Sequence, residues 1–254
     1  MHYKSLFVSD IHLGTKRCKV EYLLKFIHDN TFDNVFLIGD IIDIQAMSRK
    51  WYWSKEHNTF IQKILKMSRK NVNTVYIIGN HDEALRDFME KGIHFSFGDI
   101  KVCNEYEYKS VSGKNVLLVH GDCFDGAFRS IGWLYHLGDR AYETAIFCNS
   151  IYNWWRTKFG MGYWSLSSYL KTKVKSAMQM VNNFDELVVR RCILEGADFL
   201  IYGHSHSPGI KKLKAKYLLN CGDQIENFTC IVETDAGDFN LIRLTDNTLL
   251  DNIS

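Results

Sequence analysis

Aspartate, histidine and asparagine recur in this sequence as five short clusters, each following a run of apolar or β-branched residues. Asp10-Ile11-His12 comes after Leu6–Ser9, and Gly39-Asp40-Ile41-Ile42-Asp43 after Val35–Ile38. Gly79-Asn80-His81-Asp82 follows Val75–Ile78, His120-Gly121-Asp122 follows Val116–Val119, and Gly203-His204-Ser205-His206 follows Phe199–Tyr202. Carboxylate, imidazole and amide side chains are ligands for divalent metal ions. Any one of these clusters reads equally well as a turn. Five in succession, each at the end of an apolar run, point to a shared metal site.

The elements needed to bring them together are legible. Between the apolar runs lie amphipathic segments such as Val20–Asp29 and Glu56–Arg69, with apolar residues every three or four positions. Alternating strand and helix reads as βαβ units and a mainly parallel sheet. In such sheets ligands bind beyond the carboxyl ends of the strands, so all five clusters converge on one place. Side chains at i and i+2 of an extended segment point the same way, which pairs Asp10 with His12 and His204 with His206. Glycines 39, 79, 121 and 203 are expected to let the backbone turn and bring side chains close to an ion. After residue 197 the pattern becomes strand-rich (Phe199–Tyr202, Lys216–Leu219, Thr229–Glu233, Phe239–Arg243), with Thr234–Asp238 as a hairpin turn. A second sheet is therefore expected.

Composition narrows the function classes. A chain of 254 residues with 46% apolar and 24% charged residues can bury a substantial core. A net charge of +2 gives no bulk attraction for nucleic acid, and none is expected as a partner. Seven scattered cysteines without a CxxC pair argue against a disulfide framework or a thiolate zinc site and for a reducing, cytoplasmic setting. There is no secretory h-region and no apolar run long enough to span a bilayer. No obligate protein partner is evident.

The set Asp-x-His, Gly-Asp-x-x-Asp, Gly-Asn-His-Asp, His-Gly-Asp and Gly-His-Ser-His resembles the calcineurin-like metallophosphoesterases, over nearly the whole chain. The resemblance implies an α/β fold: a four-layer αββα sandwich of two mixed sheets, here with a helical insertion, forming one domain over 1–254. It also implies a two-metal centre, with one ion held by Asp10, His12, Asp40 and His206. The other would be held by Asp40, Asn80, His120 and His204, with Asp40 bridging. Such a mixed donor set suits Mn²⁺ first, with Fe²⁺ or Zn²⁺ as alternatives. Two ions roughly 3.5–4 Å apart clamp a phosphate and lower the pKa of bound water from 15.7 to about 7, which supplies hydroxide for attack on phosphorus. His81 is then the proton donor to the leaving oxygen or a stabiliser of the transition state. Asp43, Asp82 and Asp122 are expected to orient ligands or cap following helices, with Asp82 capping a helix over Glu83–Glu90.

The substrate must be read from residues 124–182, an expected helical insertion or lid. Seven aromatics fall within Tyr152–Tyr169, and five basic residues but no acidic one lie between Ile151 and Asn182. The plain reading is a cap packed on the core. The sharper one is a lid for an amphipathic substrate, with Trp155 and Trp164 against acyl chains and Arg156, Lys171, Lys173 and Lys175 on phosphates. Basic, Trp-rich amphipathic helices also favour anionic membrane surfaces, so contact with the inner face of the inner membrane is expected through this insert. The motif order, Ser9–Gly14 and the serines Ser165 and Ser168 are similar to the UDP-2,3-diacylglucosamine pyrophosphohydrolases of lipid A biosynthesis. That likeness implies hydrolysis of UDP-2,3-diacylglucosamine to diacylglucosamine 1-phosphate and UMP. The best-studied of those enzymes carry Arg where this chain has His81, which is instead the general superfamily pattern. The alternatives are a phosphoesterase acting on another lipid or soluble nucleotide phosphoester, and a non-catalytic metal-binding scaffold. Two further stretches stand out: Lys211–Lys216 reads as a solvated strand edge, and Arg49–Trp53 could wall a groove or pack the following helix.

Overall fold

The computed structural model describes residues 1–90, 96–127 and 184–253. The chain divides into two compact units, Met1–Cys123 with Val188–Ser254, and Phe124–Leu187. In the first, strands β1 (His2–Val8), β2 (Thr31–Ile38), β3 (Asn73–Ile77) and β5 (Ile100–Cys103) run parallel in an eight-stranded sheet ordered β13-β12-β11-β1-β2-β3-β5-β4. Its antiparallel members are β4 (Ser96–Phe97), β11 (Thr229–Glu233), β12 (Phe239–Arg243) and β13 (Thr248–Ile253). A five-stranded sheet runs β6 (Glu105–Lys109), β7 (Asn115–Val119), β8 (Phe199–Tyr202), β10 (Lys216–Asn220), β9 (Gly209–Leu213), with β7, β8 and β10 parallel. Both sheets are mixed, as expected.

Alternation along each strand builds two cores. Phe7, Phe36, Ile38, Val75 and Ile77 of the large sheet meet Val116, Leu118, Phe199, Ile201 and Leu219 of the small one. The other face of the large sheet presents Leu6, Val8, Val35 and Leu37 to helices α1 (Val20–Asp29) and α3 (Lys55–Ser68), which bury Leu23, Phe26, Ile27, Phe60 and Ile64 there. Leu117, Leu200 and Leu218 on the outer face of the small sheet are buried too, as are Val188 and Cys192 in a helix over 184–194. Burying roughly 1.5–3 kcal/mol worth of apolar side chain per strand position fixes the register, because a one-residue slip would turn each set outward.

The hairpin at Thr234–Asp238 forms as expected, closed by Thr234 N–H on the Asp238 carbonyl at 2.9 Å. The lysine run is an edge, in β9 and its turn into β10, where Lys214 and Ala215 both adopt positive φ (49° and 62°). Sequence periodicity did not signal α2 (Ile44–Arg49), β4, β5, β6 or β13. These are short or alternate weakly. The expected lid lies almost wholly outside the described residues, as do Trp155, Arg156, Trp164, Ser165, Ser168, Lys171 and Lys175. In the second unit the rings of Phe124 and Phe184 meet edge to face with centroids 5.7 Å apart.

Candidate functional site

The five clusters occupy the loops at the carboxyl ends of β1, β2, β3, β7 and β8. Those loops continue the ladders beyond the strands. His12 N–H donates to the Asp40 carbonyl (2.9 Å), Leu13 N–H to Ile41, Asp43 N–H back to Leu13, and Gly203 N–H to the His120 carbonyl. The clusters are thus stitched together through the backbone before any side chain is considered.

Three side-chain groupings result: Asp10, His12 and His206; Asp40, His120 and His204; and His12, Asp43 and His81, each with its ligand-type atoms within 4.8 Å of one another. The two oxygens of Asp40 face different groups. Oδ2 lies 3.8 Å from His12 Nε2, and Oδ1 lies 3.4 Å from His120 Nε2. Asn80 Oδ1 is 3.2 Å from the same His120 nitrogen. His206 Nε2 stands 3.2 Å from Asp10 Oδ1. All seven residues read as ligands from the sequence therefore converge.

The route differs from the one expected. The i, i+2 pairs do not lie on extended backbone: Asp10, His12, Asp40, His204 and His206 all have φ between 50° and 62°. Non-glycine residues rarely adopt this left-handed conformation, and its strain persists only where the surroundings over-determine it. Close approach accounts for three of the glycines, Gly39 among them, where a Cβ would stand 2.3 Å from His120 Nδ1. A Cβ on Gly203 would stand 2.2 Å from Asp10 Oδ2, and one on Gly79 2.2 Å from Asp40 Oδ1.

The residues fit divalent cations. Asp10 Oδ1 and His12 Nε2 are buried and have no hydrogen-bond partner, although both aim into the cluster. Burying a charged oxygen without a partner is costly unless a cation completes it. Burial works against ionisation of Asp10. Contact with His206 and the charges of His120, His206 and His12 nonetheless hold its carboxyl well below the usual range. Burial opposes charge on His120 as well, but Asp40 and Asp10 raise it to about 10, and Asp10 does the same for His206, to about 8.

Around the ligands stands a second set of contacts. Asp43 accepts from His12 Nδ1 at 3.1 Å, pairs with His81 Nδ1 at 3.0 Å and accepts from Ala46 N–H at 2.7 Å, capping α2. His81 Nε2 lies 3.9 Å from Asp40, and the close pairing with Asp43 raises the pKa of its ring. Asp122 pairs with Arg86 at 2.7 Å, and Arg86 also donates to the Ile78 carbonyl. Asp82 does not cap the helix that follows, which begins as α4 (Ala84–Glu90). Its buried carboxyl accepts from Gly79 N–H, Ile41 N–H and the Tyr76 hydroxyl, tying two ligand loops together.

Sequence reading missed the loop after β10. Asp223, fully buried, accepts from the backbone N–H of Ile225, Glu226 and Asn227. Asn227 Nδ2 holds the His206 carbonyl (2.9 Å), and Gln224 N–H holds that of Asp10 (3.0 Å). Gly222-Asp223 after an apolar strand was the available signal.

The Calcineurin-like phosphoesterase family profile matches residues 3–208. The chain belongs to this family. Similar proteins include the UDP-2,3-diacylglucosamine hydrolase of Haemophilus influenzae (strain PittGG), 22% identical over 94% of this chain and 98% of that protein. Those of Psychromonas ingrahamii (24% identical; 94% and 96% covered) and Neisseria meningitidis serogroup C (25%; 91% and 93%) carry the same name. Among solved structures, Yfce, a phosphoesterase from E. coli, superposes over 98% of this chain and 97% of its own at a TM-score of 0.50 and 13% identity, a likeness of fold. The calcineurin-like chain is a metal-dependent phosphoester hydrolase, and the family implies divalent metal ions. Among the described residues no helix is long and apolar enough to cross a membrane.

Proposed function

We propose that this hydrolase cleaves the pyrophosphate of UDP-2,3-diacylglucosamine, giving UMP and diacylglucosamine 1-phosphate. The single observation that carries the hydrolytic part is Asp40, whose two carboxylate oxygens face two separate ligand groups. Asp10, His12, Asp40 and His206 would hold one divalent ion, and Asp40, Asn80, His120 and His204 the other, with Mn²⁺ the first choice. When bound, such a pair supplies positive charge that clamps a phosphate and acidifies water. Asp43 fixes the His81 ring through Nδ1, leaving Nε2 directed at the centre to give its proton to the leaving oxygen. Asp82 and Asp122 hold the loops that carry these groups.

The lipid-linked substrate is supported by the names of the full-length relatives and by the aromatic and basic composition of 124–182. We assign that segment as an insert within one domain, acting as an acyl-chain lid that lies against the cytoplasmic face of the inner membrane. A second reading, hydrolysis of another phosphoester, is favoured by one observation: His81 stands where the best-studied lipid A enzymes carry Arg.

The test is release of UMP from UDP-2,3-diacylglucosamine with and without Mn²⁺, beside a p-nitrophenyl phosphodiester. Metal-dependent UMP release supports the reading. Hydrolysis of the phosphodiester alone retains the two-metal chemistry and overturns the lipid A substrate.

A further inference from the structure

Trp51 is 72% exposed, the most exposed tryptophan among the described residues. Its neighbours do not share that fate. Trp53 packs against the helix-side core, and the rings of Tyr52 and Trp53 lie edge-on to buried His57, with centroids 5.6 and 5.4 Å away. The Arg49–Trp53 stretch therefore packs the following helix with two aromatics and turns the third outward.

The surroundings of Trp51 are basic. Arg49 at the end of α2, Lys50 beside Trp51 and Lys55 at the start of α3 are exposed, and so are Lys16, Arg17 and Lys19 on the loop after β1. The two loops are one surface. Lys16 Nζ lies over the Tyr52 ring, 5.8 Å from its centroid, Gly14 N–H donates to His57 Nδ1, and Lys16, Lys19, Tyr52, Ser54 and Glu56 line a common cleft of about 310 Å³. Residues 16–21 and 49–56 carry six cations and two acids in a chain of net charge +2, so the remainder of the chain is net acidic. No ion pair among the described residues engages any of the six cations. The first loop follows Asp10-x-His12 directly, and the second follows α2, whose first turn Asp43 caps.

We propose that these two loops form a docking face for an anionic phospholipid surface, with Trp51 seated at the headgroup level and the cations on lipid phosphates. Tryptophan prefers the membrane interface because one edge is apolar and the other polar, and clustered Lys and Arg are drawn to the negative leaflet. A bilayer bound here would present lipid-borne substrate to the loop that follows Asp10 and His12. Every residue of the face belongs to the first unit, Met1–Cys123 with Val188–Ser254.

The test is flotation of the full-length, metal-loaded protein with phosphatidylcholine vesicles, with and without phosphatidylglycerol. The vesicles hold no nucleotide, so the result is independent of the substrate proposed above. Binding is expected only with phosphatidylglycerol, weakening as salt screens the charges. Each cation removed should weaken it about fivefold, and Arg49→Ala/Lys50→Ala/Trp51→Ala should abolish it while metal content and thermal midpoint hold. Equal flotation with neutral vesicles, none with either, or a triple variant that floats like the wild type would overturn the proposal. So would displacement by inorganic pyrophosphate at constant ionic strength, which would assign the cations to a soluble anion.

Discussion

Two buried carboxylates, at opposite ends of the parallel strands, show what separates a structural charge from a working one. At the amino end Glu233 is fully buried and every donor near it is engaged: Val111 N–H on one oxygen (2.7 Å), and the hydroxyls of Ser5 (2.9 Å) and Tyr108 (2.5 Å) on the other. At the carboxyl end Asp10 is equally buried, yet its Oδ1 has no hydrogen-bond partner and faces imidazole nitrogens. Neutral donors complete the first carboxylate within the protein. The second faces titratable imidazoles, His206 Nε2 nearest at 3.2 Å, a shell suited to a cation. Completeness of the polar shell, rather than burial or charge, marks the functional pole.

The sharpest way to break this contrast is Asp40→Ala. Because Asp40 serves both ligand groups, both ions should be lost and hydrolysis should fall to the level of metal-stripped protein, read as metal content and phosphodiesterase rate. Retention of either ion would mean the two groups are independent. Next in size, His81→Ala should lower turnover about 10²–10⁴-fold with the metal content intact; a parallel loss of metal would make it a ligand instead. At the other pole, Glu233→Gln should leave metal content unchanged and lower unfolding stability by about 1–3 kcal/mol, since an amide cannot satisfy all three donors. Denaturant titration checks it, and an unchanged midpoint would deny Glu233 its structural role.

A smaller effect is expected at His57, an imidazole outside the metal cluster. It accepts from Gly14 N–H (3.2 Å), and burial lowers its pKa. A histidine depressed by folding contributes stability that is present above its unfolded pKa of about 6.5 and is lost as pH falls from there through its lower folded pKa. His57→Gln should flatten this acid limb of the stability profile. An identical profile would place the acid sensitivity elsewhere.

Much of this was readable beforehand because it rests on side-chain type and strand periodicity. The apolar runs ending at Val8, Ile38 and Ile77 are buried on both faces, so their ends are sharp and the ligand clusters follow directly. Backbone conformation was not readable: nothing in Asp-x-His or His-x-His signals a positive φ for residues that seldom adopt one. Contacts made by ordinary polar residues were also hidden. Arg86 reaches Asp122, 36 residues away, and Asn227 holds His206 through its backbone carbonyl. For Asp82 only the helix-capping expectation fails, because its partner Tyr76 lies inside a strand, where sequence reads only as core.

The left-handed backbone at Asp10, His12, Asp40, His204 and His206 bears on how such a protein would drift. Each position would be relieved of strain by glycine, at roughly 1–3 kcal/mol per site. A population selected for thermal robustness alone should therefore accumulate glycine at these five codons and erase the centre as it grew hardier. Asp and His at all five positions of this chain carry that conformational cost together with the donor atoms that glycine would lack.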